Sequence, residues 1–266
     1  MAISYDVHLK YGVDPNESLQ GKVAVVTGGF GGIAMASNRL MYAKGASLAL
    51  LYAPFDAGKL EESLAEFEDK SRVIAVECDV TSPESVKKAF AEVKAKLGTI
   101  DILVTCAGYV CLQPCMETEL SEWNKHMEVN LTGTFLCAQE AARIMTTDKH
   151  GGKIIVIASQ AATVALDNHV AYATSKAGLM GMCKVMAKEL GPYQICVNTI
   201  SPTVVLTPMG AKAWEGKKGE DNKKMIPIGR FAYTDEIGAA VLFLASNGSD
   251  MITGTDILID GGYQVW

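Results

Sequence analysis

Basic charge is in short supply in this chain. Lys and Arg number 24 against 30 Asp and Glu, a net charge of −6. A nucleic-acid binder shows a basic face. The densest basic group here, Lys217, Lys218, Lys223 and Lys224, is interrupted by Glu220 and Asp221. It reads as a solvated loop, and nucleic acid is not an expected partner. Long apolar runs are missing as well: none reaches the roughly 18 residues of a membrane span. The first residues show no basic stretch leading into an apolar one, so neither a secretory signal nor a membrane partner is expected. Paired cysteine motifs are absent too. Cys78, Cys106, Cys111, Cys115, Cys137, Cys183 and Cys196 are odd in number, with no C-x-x-C and only four histidines in the chain. No metal site is expected from such a set. Reduced thiols fit a cytoplasmic location.

What is present is core material. Hydrophobic residues make up 49% of the 266 and charged residues 20%, enough for one large domain. Residues 1–20 are polar, carry Gly12 and Pro15, and read as an N-terminal extension to a domain over 21–266. Short apolar runs recur from Lys22: Lys22–Thr27, Ala46–Tyr52, Arg72–Glu77, Ile100–Thr105, Lys153–Ala158, Ile195–Ile200 and Ile257–Asp260. Runs without polar alternation suit strands covered on both faces. Helical segments lie between them. Pro83–Leu97 has Thr81 or Ser82 as N-cap, and Ala171–Leu190 stops at Gly191-Pro192. This alternation predicts an α/β fold with a doubly wound parallel sheet and a single domain. A stretch at about 207–226, with Trp214 among charges and glycines, reads as a substrate lid.

The first strand runs into Thr27-Gly28-Gly29-Phe30-Gly31-Gly32-Ile33-Ala34. Glycines let a backbone turn sharply and approach a pyrophosphate, and the following helix aims its N-terminal amides at that anion. In open parallel sheets ligands lie beyond the carboxyl ends of the strands. Asp79-Val80, Cys106-Ala107-Gly108 and Pro202 to Thr207, including Val205, all fall there. The second strand ends at Tyr52, then Ala53-Pro54-Phe55. No carboxylate stands there to repel a 2′-phosphate, and no arginine attracts one, so NADP(H) is favoured over NAD(H).

Tyr172 and Lys176 are four residues apart and share a helical face. A lysine cation beside a phenol lowers its pKa, and such a phenol can exchange a proton while hydride moves. Ser159 ends the fifth strand, on the ligand edge. Asn130 sits among apolar residues, where a buried amide must be hydrogen-bonded.

The glycine turn, Asp79-Val80, Cys106-Ala107-Gly108, Asn130, Ser159, Tyr172-x-x-x-Lys176 and Asp260-Gly261-Gly262 together resemble the short-chain dehydrogenase/reductase family over nearly all of Leu19 to Trp266. The resemblance implies a Rossmann-type fold, a homotetramer and an Asn130–Ser159–Tyr172–Lys176 tetrad. It makes Ser159 the group that polarises the substrate oxygen and Tyr172 the acid/base. Lys176 tunes Tyr172 and binds the nicotinamide ribose, while Asn130 supports a water leading to Lys176. The chain departs from the family pattern at Ala34, at Thr105-Cys106 for the usual Asn-Asn, and at Pro202-Thr203 for Pro-Gly. Ser159-Gln160, Asn168-His169, Pro202-Thr203-Val204-Val205 and Trp214 are similar to L-xylulose (dicarbonyl) reductases and fungal sugar-alcohol dehydrogenases. That likeness implies that Gln160 and His169 contact hydroxyls of a polyol or ketose, and it adds Trp214 to the substrate site. A helix-entry His169 bonded to backbone is the other reading of that residue. The expected activity is interconversion of a secondary alcohol and a ketone, on a small-molecule polyol or ketose. The alternatives are reduction of bulkier ketones or β-ketoacyl substrates, or a dinucleotide-sensing scaffold without turnover.

Overall fold

The computed structural model describes residues 13–14, 16–207, 210–211 and 214–265. Seven parallel strands form one sheet in the order β3-β2-β1-β4-β5-β6-β7. They are β1 (Val23–Thr27), β2 (Ser47–Tyr52), β3 (Val73–Glu77), β4 (Ile102–Thr105), β5 (Gly152–Ile157), β6 (Ile195–Pro202) and β7 (Asp256–Ile259). Each lies within two residues of an apolar run in the sequence. β1 and β4 are buried at every residue, as strands covered on both faces must be.

The helices are α1 (Gly32–Ala43), α2 (Leu60–Ala65), α3 (Pro83–Leu97), α4 (Leu120–His126), α5 (Gly133–Asp148), α6 (Val170–Leu190), α7 (Lys217–Lys223) and α8 (Thr234–Ala245). Pro83 opens α3, and the Ser82 hydroxyl accepts from Ser85 N at 3.2 Å, so Ser82 is the cap. Between α4 and α5 the chain makes a π-helical turn, Met127–Thr132. Two apolar layers cover the sheet. On one face Val86, Phe90 and Val93 of α3 pack with Ala138 and Met145 of α5 and Leu179 of α6. On the other, Met35 and Met41 of α1 pack with Ile237 and Val241 of α8.

Two expectations change. The basic group Lys217–Lys224 lies in and beside the short helix α7, not in a loop. Lys223 and Lys224 there pair with Glu220 and Asp221 at 2.7 and 2.8 Å. In the N-terminal extension, residues 1–12 and 15 lie outside the described residues. Leu19, however, is only 2% exposed and joins the core with Met41 and Leu48, so the packed unit begins before residue 21.

Strand order decides where a ligand can lie. Thr27 of β1 is in register with Leu51 of β2 on one side and Thr105 of β4 on the other. The chain runs outward in both directions from this point. A crevice opens between the β1 and β4 ends, the switch point of a doubly wound sheet.

Candidate active site

The nucleotide half of the crevice is set by Gly28. Its φ is +59°, and a Cβ there would lie 2.9 Å from the Cα and N of Ala107. Only glycine lets the β1 turn press on the β4 turn, which a bond from Ala107 N to Thr27 Oγ1 at 3.1 Å also joins. Gly31 caps α1 without a side-chain bond, and no acidic residue occupies the first turn. The first amides of α1 therefore remain available to an anion. Gly32 is the first residue of α1. Phe30 stacks on Tyr52 with ring centroids 5.0 Å apart and planes at 13°, an aromatic wall at the end of β2. Asp79 spends Oδ1 on Thr81 N and Oγ1 at 2.9 and 2.7 Å, which fixes the β3 turn. A Cβ on Gly133 would meet Val80 Cγ2 at 2.9 Å, so this glycine admits Val80 against the start of α5. These features form a cradle that fits a nicotinamide dinucleotide.

The chemical half is a cavity of about 350 Å³. It is lined by Ile33, Gly108, Pro202, Val205 and Thr207 together with Ser159, Gln160, His169, Tyr172, Lys176 and Trp214. Asn130 stands behind this wall, wholly buried. Tyr172 and Lys176 open α6 on the cavity side. The Ser159 hydroxyl accepts from Ala161 N at 3.1 Å and lines the cavity together with the Tyr172 phenol.

Burial pushes the Tyr172 phenol above its ordinary value of 10, and the neighbouring Ser159 hydroxyl offsets this only in part. Lys176 follows one turn later on the same helix. Its Nζ donates to Ile157 O at 2.8 Å and lies 5.8 Å from the Tyr172 ring centroid. Burial lowers Lys176 itself from 10.5 to about 8. Cys106 is its electrostatic neighbour, and burial raises that thiol to about 12.

Asn130 occupies the π-helical turn, where its amide is fully used. Oδ1 accepts from Tyr109 N at 2.7 Å, and Nδ2 donates to Tyr109 O and to Ser175 Oγ, each at 2.9 Å. It clamps the loop after β4 to α6. His169 Nδ1 lies 2.6 Å from Asp167 O, as the backbone-bonded reading expects, and its ring meets Tyr172 edge-on at 6.0 Å. Trp214 packs edge-on against Phe231 at 5.9 Å. In the lid stretch, residues 208, 209, 212 and 213 lie outside the described residues.

Sequence reasoning missed three residues. His126 is fully buried. Its Nδ1 meets Glu122 O at 2.7 Å, and its Nε2 accepts from Cys111 N at 3.1 Å. Tyr109 donates its hydroxyl to Glu122 Oε2 at 2.7 Å, which holds its phenol well above the ordinary range. Asn38 Nδ2 donates to Gly29 O at 3.0 Å and so braces the glycine turn from α1. A polar residue among the apolar residues of α1 was the available signal for Asn38, while the polar sequence of α4 offered none for His126. Tyr109 gave none.

Comparison with known proteins agrees with this architecture. A family model described as enoyl-(acyl carrier protein) reductase matches residues 28–264. An NAD-dependent glycerol dehydrogenase of Listeria innocua is 45% identical, covering 96% of this chain and 98% of that protein. A D-threitol dehydrogenase of Mycolicibacterium smegmatis is 47% identical, covering 95% and 96%. An L-xylulose reductase of Bos taurus is 33% identical, covering 92% and 97%. A solved short-chain dehydrogenase/reductase of Serratia marcescens superposes with a TM-score of 0.85 at 34% identity, covering 92% of this chain and 98% of that one. The chain belongs to the short-chain dehydrogenase/reductase family and is an oxidoreductase using a nicotinamide dinucleotide.

Proposed function

We propose that this enzyme is a polyol dehydrogenase that interconverts a secondary alcohol of a small polyol and the matching ketose carbonyl. The observation that carries the reading is the Ser159–Tyr172 hydroxyl pair in a cavity whose wall also presents Gln160 and His169. The relatives named for glycerol, threitol and L-xylulose support it. When bound, the dinucleotide gives or takes the hydride. The protein manages the proton. Ser159 Oγ holds the substrate oxygen, and the Tyr172 phenol donates a proton to it in reduction or, as phenolate, accepts the alcohol proton in oxidation. Lys176, anchored on Ile157 O, holds a positive charge on the same side of the cavity. Asn130 fixes the loop that closes the wall. A raised Tyr172 pKa favours the phenol form, so oxidation gains as pH rises and reduction as it falls.

The end of β2 has neither a carboxylate nor a free cation. Lys59, the first cation after it, is held by Asp56 at 2.6 Å. A 2′-phosphate would gain no ion pair there. This, and the likeness to an enzyme named as NAD-dependent, moves the preferred cofactor from NADP(H) to NAD(H), with NADP(H) used less well. A homotetramer in the cytoplasm completes the proposal. All seven cysteines are free, and no described helix is long and apolar enough to cross a membrane.

The test is a panel of polyols, ketoses, plain ketones and β-ketoacyl thioesters assayed with both dinucleotides, alongside Tyr172→Phe. The variant is expected to lose about 10²–10⁴-fold in turnover, the range of general acid–base catalysis. Its dinucleotide Kd should stay within about threefold, since the phenol hydroxyl is all that is removed. Wild-type turnover in Tyr172→Phe would defeat the mechanism. Preference for thioesters would defeat the substrate class.

A further inference from the structure

The polar groups of the cavity are not equally occupied. Ser159 Oγ is engaged by Ala161 N, and His169 Nδ1 faces Asp167 O. Two side-chain oxygens have no partner: Gln160 Oε1 and Thr203 Oγ1. Their residues are 2% and 7% exposed, and both line the cavity. An unpaired buried polar atom costs about 1–3 kcal/mol. Two of them on residues that line one cavity, beside the reacting hydroxyls, mark where a bound ligand can supply the partner that the fold does not.

Both are also held in place. Gln160 opens a single 3-10 turn, Gln160–Ala162, whose carbonyl accepts from Thr163 N, Thr163 Oγ1 and Val164 N at 3.0, 3.1 and 3.0 Å. Thr203 follows the last residue of β6, and its N donates to Ile259 O at 3.0 Å. As a β-branched residue it has few side-chain rotamers and does not swing freely. The surrounding wall, with Val110, Leu112, Ile157 and Val204, offers these oxygens nothing to bond.

We propose that Thr203 is a specificity-determining residue which, together with Gln160, hydrogen-bonds a substrate hydroxyl other than the one that reacts. The inference rests on the polyol reading above and deepens it. A hydroxyl is both donor and acceptor, so one such group can satisfy an amide oxygen and a threonine hydroxyl together. A plain ketone or mono-alcohol leaves both oxygens unpaired. Sites built to bond a hydroxyl discriminate against analogues that lack it.

The test compares kcat/KM for D-threitol and for 2-butanol in wild type, Thr203→Val, Thr203→Ser and Thr203→Ala, with the dinucleotide KM measured in each. Thr203→Val keeps the shape and removes the hydroxyl. It should lower the threitol-to-butanol ratio about tenfold, a value suited to one lost hydrogen bond, with the dinucleotide KM unchanged. Thr203→Ser keeps the hydroxyl and should hold the ratio. If Thr203→Val does not fold, the Ser and Ala pair reads the same difference. A wild type that prefers threitol while Thr203→Val keeps the full ratio overturns this inference and leaves the polyol reading intact. A changed dinucleotide KM with equal losses on both alcohols overturns it too, since the hydroxyl would then serve the cofactor. A wild type with no preference for threitol overturns the polyol reading and this inference with it.

Discussion

Lys176 is the residue whose energetics differ most from what its position suggests. It is 6% exposed, and burial lowers it from 10.5 to about 8. Below pH 8 the fold carries a buried cation at a cost of about 3 kcal/mol relative to a lysine in water. The unfolded chain binds more protons than the native one between pH 8 and 10.5, so stability rises with pH across that window. Wild-type stability measured against Lys176→Met should therefore gain about 2 kcal/mol between pH 7.5 and 9.5 in urea titrations. A difference that stays flat would mean that Lys176 is not desolvated as its surroundings indicate. The cost has a use: a cation bonded to Ile157 O, two residues before Ser159, holds its charge at a fixed place beside the reacting groups.

At the scale of elements, the π-helical turn Met127–Thr132 braces a loop that lines the cavity. It places Asn130 under the loop after β4, while the last residue of α4, His126, holds Cys111 N from the other side. Tyr109 and Cys111 are thus pinned at successive backbone groups. His126→Phe preserves the ring and leaves Cys111 N without its acceptor. It should cost about 1–3 kcal/mol, read as a lower urea midpoint with unchanged slope. An unshifted midpoint would show that the clamp does not contribute to stability. The strands, the caps of α3 and the start of α6 were legible in the sequence, because apolar runs, Ser82-Pro83 and helical spacing are local signals. The π-turn was not, since side-chain periodicity does not report a hydrogen-bond register. Nor was the partner of Asn130, because Tyr109 reaches it only once β4 and α4 have packed. Spacing put Lys176 beside Tyr172 correctly, yet its charge settles on a carbonyl that only the folded sheet brings near.

For the whole molecule, the outer face of α5 and α6 is the apolar one. Phe135, Val185 and Tyr193 are 40%, 56% and 54% exposed, beside a depression of about 320 Å³ lined by Met186 and Leu190. Apolar groups clustered on two adjacent helices suit burial against a second copy, in keeping with the proposed tetramer. Phe135→Glu should lower the solution mass by light scattering with the circular dichroism unchanged. A wild type that runs as a monomer would refute the assembly. The pairing of β1 with β4 has a consequence in time. On a growing chain the two lips of the crevice are made far apart, with β2, β3 and α3 synthesised between them. The dinucleotide can be gripped only after the sheet has closed across that gap. A ligand that binds only the closed state shifts the balance toward it in proportion to its concentration over Kd. A cell depleted of the dinucleotide should therefore hold less of this enzyme, because more of each newly made chain stays open to proteases.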